Sequence, residues 1–386
     1  MRIGLITGTF LPVLGGVQWM VHYLATEYCK RGHEAVVFCQ KLPGNLDGPL
    51  PVKPDYTLVK VGPKPIRGMQ RSGLLCWNFS RQVLTHHAQK PFDLLHCHNV
   101  GVPTQIGARV KACAAIPVVA TTCGDDIMTI PSLKYGIRLI PYYEAMVRDN
   151  LSKIDVVASI SSATRRELES LGPAARIVDI QGGVDWENFQ TATPCWLQKR
   201  LGLGEEKIIV VSLGRLHPVK DYPTGLRAFA LAARRIPDLH YVIAGTGTKG
   251  LQKLVNELAI KERVHLLESV PMSDVPNLLH SADLFFLSSL SEGFAQVIIQ
   301  ALSCGLPCVV SDCSGNEDLA GHPGVVTAKA GDATSMGEAL TLLASDKALR
   351  LKMGKQAHDC SSRYSWSALC EHYISIFKQL APTAAF

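Results

Sequence analysis

Two cations, Arg215 and Lys220, stand five residues apart directly after an apolar run, and a carboxylate, Glu292, follows another such run in Ser291-Glu292-Gly293-Phe294. Guanidinium and ammonium groups at a strand end can neutralise a diphosphate, most usefully as it departs, while an ionised carboxylate accepts hydrogen bonds from sugar or ribose hydroxyls. Gly214, just before Arg215, lets the chain turn there. A second candidate cluster lies in the first half. Gly15 and Gly16 end a loop after the first apolar run and allow backbone amides to approach an anion or a sugar, without the Lys-Ser/Thr ending of a P-loop. His96 and His98 sit on an expected strand, one facing inward and the other reaching the strand end, which makes His98 the site candidate. Asp125 and Asp126 end the next strand, where paired acids orient hydroxyls or serve as a base, and where Asp126 equally suits a helix cap.

These side chains need strands that end beside one another. Residues 282–289 (ADLFFLSS) have the length and composition of a short buried strand, which puts Glu292 at its carboxyl end. A helix from about Ala295 buries Val297, Ile298, Ala301 and Leu302 on one stripe, stops at Gly305-Leu306-Pro307 and returns as a strand at 308–312. The amides near 294–296 lack intrahelical partners and carry partial positive charge, which suits a diphosphate. On local physics alone, Glu292 reads equally well as an ordinary acidic residue at a helix start.

Residues 245–250 (GTGTKG) match GxGxxG after a strand and before a helix, with Glu268 ending the following strand. That pattern raises an NAD-dependent oxidoreductase as an alternative. It stands, however, on the second strand–helix unit of its half, whereas a dinucleotide fingerprint normally opens the first. Gly245 and Gly247 by themselves establish a tight turn and close backbone approach.

Short apolar strands alternate with helical stretches, the pattern of a parallel α/β architecture. Strands are expected at 3–7, 35–39, 94–98, 118–122, 156–160 and 177–180, and a second series at 208–212, 241–244, 264–267, 284–287 and 308–310. Residues 181–198 interrupt both periodic patterns, so two doubly wound domains are expected over 1–190 and 191–386 with a hinge near Thr191. An amphipathic helix at 366–380 has the spacing to pack back on the first domain.

With 386 residues and 47% hydrophobic composition the chain can bury a sizeable core. No apolar stretch reaches the ~18–20 residues of a membrane span, and the amino terminus reads as strand and loop, so a cytoplasmic location is expected. Twelve scattered cysteines without a CxxC pair read as reduced thiols, and two histidines at 96 and 98 without a third ligand give no metal site. The net charge of +6 is too modest to argue for nucleic acid, but most of it lies in the first half. There Lys53, Lys60, Lys64, Arg67, Arg71, Arg81 and Lys90 face only Asp55, a basic, loop-rich patch over residues 53–90. Such a patch is either a solvated face or an attraction to an anionic membrane surface or a phosphate-bearing acceptor, the latter implying peripheral contact with the cytoplasmic membrane face.

Assembled in order, residues 214–220 (GRLHPVK), 243–247 (IAGTG), 282–294 (ADLFFLSSLSEGF) and 301–312 (ALSCGLPCVVSD) make the chain resemble the retaining glycosyltransferases of family 4. The Gly15-Gly16 loop, 93–98 (DLLHCH), 159–172 (SISSATRRELESLG) and 182–189 (GGVDWENF) extend the resemblance over nearly the whole length. It implies the GT-B fold, two facing Rossmann-like domains with a cleft between them. It implies that Arg215 and Lys220 hold the diphosphate of a nucleotide-sugar donor and that Glu292 meets the donor sugar's hydroxyls. Amides of Phe294, Ala295, Gln296 and Val297, beside Gly293, would meet phosphate or sugar; Glu268 and Val270 would lie near the base; and Gly15 and Gly16 would close over the donor. No metal or other cofactor is implied, since cations and a helix dipole do the charge work.

Two positions depart from the family pattern. Where relatives carry a second glutamate on the ribose hydroxyls, this chain has Gln300, an amide that brings no charge. Where they often carry histidine before Gly-x-Asp, it has Cys123, a poor donor and no general acid of matching pKa; either His98 or Asp125 takes over sugar or acceptor positioning, or this subgroup does not use that histidine. The expected reaction is transfer of a hexose-type residue to a hydroxyl acceptor, a glycan or lipid-linked intermediate of surface polysaccharide or glycolipid synthesis, with retention. A sugar-nucleotide epimerase and a catalytically silent sugar-nucleotide-binding protein stand beside the oxidoreductase as alternatives.

Overall fold

The computed structural model describes residues 1–13, 15–42, 50–51, 53–62, 73–193 and 195–381. Thirteen strands occur among these residues: β1 Arg2–Ile6, β2 Glu34–Gln40, β3 Thr57–Val61, β4 Leu94–His98, β5 Val118–Thr121, β6 Val156–Ser159 and β7 Arg176–Asp179, then β8 Ile208–Leu213, β9 Leu239–Ala244, β10 Val264–Leu267, β11 Leu284–Leu287, β12 Cys308–Ser311 and β13 Val325–Ala328. The first seven form one parallel sheet in the order β3-β2-β1-β4-β5-β6-β7, and the last six a second in the order β10-β9-β8-β11-β12-β13. Both orders reverse once, between β1 and β4 and between β8 and β11. Parallel sheets of this kind bind ligands at that reversal, outside the carboxyl ends of the strands.

Central strands such as β4, β9 and β11 are buried along their whole length, as helices on both faces require; β11 reads as an unbroken apolar run, while β4 and β9 carry buried histidines among their apolar residues. The outermost strands are different. β3 and β13, absent from the sequence expectation, are sheet edges whose residues are partly exposed, as are the expected edge strands β7 and β10. Lys60, expected in a loop-rich patch, lies on β3, while Arg81 lies on the helix Leu74–Gln89 and Lys90 follows it, ion-paired with Glu34. Lys64, Arg67 and Arg71 of that patch lie outside the described residues.

The chain divides into two units, Met1–Gly182 with Trp366–Phe386, and Gly183–Ser365. The first break comes earlier than the hinge expected near Thr191, because residues 184–190 are bonded into the second unit. Val184 donates to the carbonyl of Tyr364, Trp186 Nε1 to Ser361 Oγ at 3.0 Å, and Gln190 meets His358 at 2.5 Å. The helix Trp366–Leu380 belongs to the first unit. Its Trp366, Leu369, Tyr373, Ile374 and Phe377 are buried, Trp366 stacks on Tyr23, and Arg31 of the helix Gly16–Lys30 region bonds Glu371 and Ser367. Among the described residues no helix is long and apolar enough to cross a membrane.

Candidate active site

In the second unit the ends of β8 and β11, neighbours at the sheet reversal, bring Lys220 and Glu292 together. Lys220 Nζ lies 2.6 Å from Glu292 Oε1, with the two side chains 19% and 10% exposed. The same oxygen accepts from Ser289 Oγ at 2.5 Å, and Glu292 Oε2 has no protein partner among the described residues. Serines at the end of β11 hold both partners. Ser288 Oγ donates to the carbonyls of Lys220 at 2.9 Å and Asp221 at 3.1 Å, and Ser311 Oγ fixes the Ser289 carbonyl at 2.5 Å. Lys220 closes a single 3₁₀ turn, Pro218–Lys220, capped by His217 Nδ1 accepting from the Val219 amide at 3.3 Å. That bond needs an unprotonated Nδ1, and burial followed by the charges of Arg215 and Lys220 lowers the His217 pKa accordingly.

Glu292 is fixed from behind as well. Its amide donates to Ser314 at 2.8 Å, and Gly315 adopts a φ of 91° where an added Cβ would stand 1.8 Å from the Glu292 carbonyl oxygen. Only glycine permits this approach. Sequence reasoning missed Gly315, Ser288, Ser289 and His217: Gly315 and Ser288 meet Glu292 and Lys220 only through the fold, while Ser289 and His217 act within three residues of their partners but carry no pattern that marks a site.

Arg215 is exposed, with no salt bridge among the described residues. Its loop is zipped onto the next one: Gly214 donates to Ala244, Leu216 to Thr246, and Tyr222 Oη to the Gly214 carbonyl, each at 2.8 Å. Gly245, at φ 153°, would put a Cβ 2.1 Å from the Gly214 carbonyl oxygen, so this glycine serves the packing of two loops. Two further amides of the GxGxxG turn are filled internally, Gly247 and Lys249 both donating to the Glu268 carboxylate at 3.1 and 3.2 Å. A turn whose amides already hold a carboxylate offers no cradle for a dinucleotide pyrophosphate, which removes the basis of the oxidoreductase alternative. Val270, half-buried, follows Glu268 beyond β10.

The helix after Glu292 runs Gln296–Ser303 without a side-chain cap. The Gln296 amide, expected to be unpaired, donates to the Phe294 carbonyl, and Ile298 donates to Ala295. The amides of Gly293, Phe294, Ala295 and Val297 have no protein acceptor among the described residues. The buried stripe comprises Ile298, Ile299, Ala301 and Leu302, with Val297, expected on it, only half-buried. Gln300 Oε1 is buried and has no hydrogen-bond partner among the described residues, and an amide oxygen there can accept from a hydroxyl.

In the first unit, Gly15 and Gly16 are exposed at the start of the helix Gly16–Lys30. His98 does not reach the surface as expected. Residues two apart on a strand share a face, so His96 and His98 lie together, ring centroids 4.2 Å apart, both fully buried. His96 bridges Tyr28 Oη and Thr121 Oγ1, and Thr121 bonds Tyr373 Oη at 2.9 Å. Neither His98 ring nitrogen has a partner among the described residues, and burial lowers its pKa to about 3. Of the paired acids, Asp125 is exposed, while Asp126 is fully buried and accepts from the amides of Val100 and Cys123, both at 2.8 Å. Burial and the charge of Asp125 push the Asp126 carboxyl up to about 7. Asp126 therefore ties the loop after β4 to the loop after β5, in place of a helix cap. Burial, then the Asp126 and Asp125 carboxylates, push the Cys123 thiol up, so it is no thiolate at neutral pH. No three His, Cys, Asp or Glu side chains among the described residues are grouped to hold a metal ion.

Two parallel sheets with reversal points between their first and fourth strands, one carrying the cations and carboxylate described above, define a two-domain GT-B protein of the glycosyltransferase class. Residues 14–188 match the family model "Glycosyltransferase Family 4" and residues 197–359 the model "Glycosyl transferases group 1". The chain belongs to this family and is a glycosyltransferase. It is 27% identical over 318 residues, 78% of this chain and 67% of the relative, to D-inositol 3-phosphate glycosyltransferase of Mycobacterium marinum. It is also 27% identical over 344 residues, 83% of this chain and 84% of the relative, to the GDP-mannose-dependent alpha-(1-6)-phosphatidylinositol monomannoside mannosyltransferase of Mycolicibacterium smegmatis. Among solved structures, sucrose-phosphate synthase from Thermosynechococcus elongatus superposes with a TM-score of 0.83 at 18% identity, covering 99% of this chain and 100% of that one. Anabaena HepE in complex with UDP and glucose does so at 0.79 and 20% identity, covering 98% of this chain and 100% of that one.

Proposed function

We propose that this glycosyltransferase moves a hexose-type residue from a nucleoside diphosphate sugar to a hydroxyl acceptor with retention at the anomeric carbon. The observation that carries the reading is the end of β8 and β11, where Arg215, Lys220, Glu292 and a set of amides without protein acceptors meet at the sheet reversal. Arg215 and Lys220 take the diphosphate, Glu292 takes sugar hydroxyls through Oε2, and Gln300 takes a ribose hydroxyl at its unpartnered Oε1. Retaining hydrolases use a carboxylate nucleophile beside a second carboxylate, but Glu292 is engaged by Lys220 and Ser289. The acceptor oxygen therefore attacks on the face from which the diphosphate leaves. The bond from anomeric carbon to diphosphate breaks, the bond to the acceptor oxygen forms, and the acceptor proton passes to the departing phosphate. Arg215 and Lys220 stabilise the charge that develops there. In this reading the cations and amides carry the charge work without a metal ion.

The acceptor is a glycan or lipid-linked hydroxyl. Exposed Leu74 and Trp77, with Arg81 stacked over the Trp77 ring, support peripheral contact with an anionic membrane by the first unit. The two relatives named above act on inositol-bearing acceptors by name, which makes inositol phosphates and phosphatidylinositol the first acceptors to test. A thermal-shift screen of UDP-, GDP- and ADP-sugars identifies the donor by the rise in melting temperature, and the anomeric configuration of the product is then read by NMR. Failure of every donor to shift the transition, or an inverted product, overturns the reading.

A further inference from the structure

The two groups read as the donor's contacts bind each other. Lys220 Nζ and Glu292 Oε1 form a 2.6 Å ion pair with both side chains largely buried, while Arg215 stays exposed without a salt bridge among the described residues. Resting on the functional reading above, we propose that this ion pair is a built-in competitor for the diphosphate, which makes the site select nucleoside diphosphate sugars over free nucleoside diphosphates and drives the spent nucleotide out.

The two partners are held differently. Glu292 is fixed at its carboxylate by Ser289, at its amide by Ser314 and at its carbonyl by the close approach of Gly315. Lys220 is fixed only through its main chain, by Ser288 on its carbonyl and by the turn that His217 caps. Its four-carbon stem leaves the ammonium able to turn to a phosphate. When a diphosphate draws Lys220 away, Glu292 stays behind, largely buried, with its charge uncompensated except by Ser289. Removing one partner of a buried pair is costly because the remaining charge is left without its counter-ion. A sugar on the diphosphate restores the balance, since its hydroxyls donate to Glu292, and hydrogen bonds to a charged group are among the stronger ones. A free nucleoside diphosphate supplies no such donors and brings more negative charge toward the carboxylate. After transfer the sugar is gone, Glu292 is again unsatisfied, and it reclaims Lys220 as the diphosphate leaves.

The test is calorimetric titration of UDP, GDP, ADP, UDP-glucose, GDP-mannose and ADP-glucose into the full chain and into Glu292→Gln, Lys220→Met and the double variant. Wild-type protein should bind its sugar conjugate more tightly than the matching free diphosphate. Glu292→Gln, which frees Lys220, should bind that free diphosphate about tenfold more tightly than wild type, the scale of one hydrogen bond to a charged group, and lose the preference for the conjugate. The gain should vanish in the double variant relative to Lys220→Met. A Glu292→Gln variant that binds the diphosphate no more tightly, or a gain that survives without Lys220, overturns the proposal while leaving the donor reading intact. Wild-type protein that prefers the free diphosphate overturns it without any variant, and wild-type protein that binds none of the six overturns the donor reading itself.

Discussion

Replacing Gly315 by alanine separates two costs that are usually entangled. Gly315 and Gly321 both adopt left-handed φ values, 91° and 82°, in one loop region of the second unit. A Cβ at Gly321 meets nothing within 4 Å, whereas one at Gly315 would stand 1.8 Å from the Glu292 carbonyl oxygen and 2.5 Å from its carbonyl carbon. Alanine at 321 therefore pays only the conformational cost, about 1 kcal/mol. Alanine at 315 pays the same and must also push the two segments apart by about 1.5 Å to reach an ordinary contact, at an overpacking cost of about 1–3 kcal/mol. It also loses the 2.8 Å bond from the Glu292 amide to Ser314, worth about 1 kcal/mol. Thermal melts should show a fall of about 2–4 °C for Gly321→Ala and about 6–20 °C for Gly315→Ala. Because Glu292 moves with its carbonyl, transfer by Gly315→Ala, measured well below its melting point, should fall about 100-fold, with Gly321→Ala unchanged. Equal melting temperatures for the two variants, or full transfer by Gly315→Ala, would refute the claim that this glycine sets the position of the carboxylate.

Three further outcomes follow from other parts of the structure. Asp126 titrates near 7 when folded against 3.8 in its reference state, so between those values the folded chain holds the extra proton and stability falls as pH rises. Chemical denaturation should show wild type losing up to about 1 kcal/mol per pH unit relative to Asp126→Asn between pH 5 and 7; a pH-independent gap between the two would contradict the raised value. Glu268→Gln leaves the Gly247 and Lys249 amides with a neutral acceptor and should cost about 1–2 kcal/mol in the second unit, and NADH should not raise the wild-type melting temperature. Tyr373→Phe removes the bond to Thr121 and should cost about 1 kcal/mol, with hydrogen exchange increasing selectively in the helix Trp366–Leu380; uniform exchange would argue against that bond anchoring the helix.

The sequence made the strand–helix–strand passage around Glu292 legible because its strands are buried on both faces and its helix is stopped by Gly305, at φ 69° two residues beyond Ser303, and by Pro307 after it. Edge strands β3 and β13 were not legible, although β7 and β10, edges that are as exposed, were. The two histidines show a different limit. Their i, i+2 spacing dictates a common face, and the inside-versus-outside reading ignored it. The GxGxxG turn shows a third, because nothing local reveals that the carboxylate of Glu268, about twenty residues on, folds back to fill it. Arg215, Lys220 and Glu292 could be picked out by type and spacing, but that two of them pair with each other, under the hold of Ser288 and Ser289, depends on which strand ends the sheet order makes adjacent.

The return of the helix Trp366–Leu380 to the first unit has a consequence for the order in which the chain is made. Residues 1–182 leave the ribosome first, yet the face formed by Tyr23, Tyr28 and His96 has to wait for Trp366, Tyr373 and Phe377 to cover it. The whole of Gly183–Ser365 is synthesised in the interval, about ten to forty seconds at ordinary elongation rates. The second unit can therefore complete its core while the first still exposes an apolar face, the reverse of the usual amino-terminal-first sequence. During synthesis that open face is the surface a chaperone would have to shield.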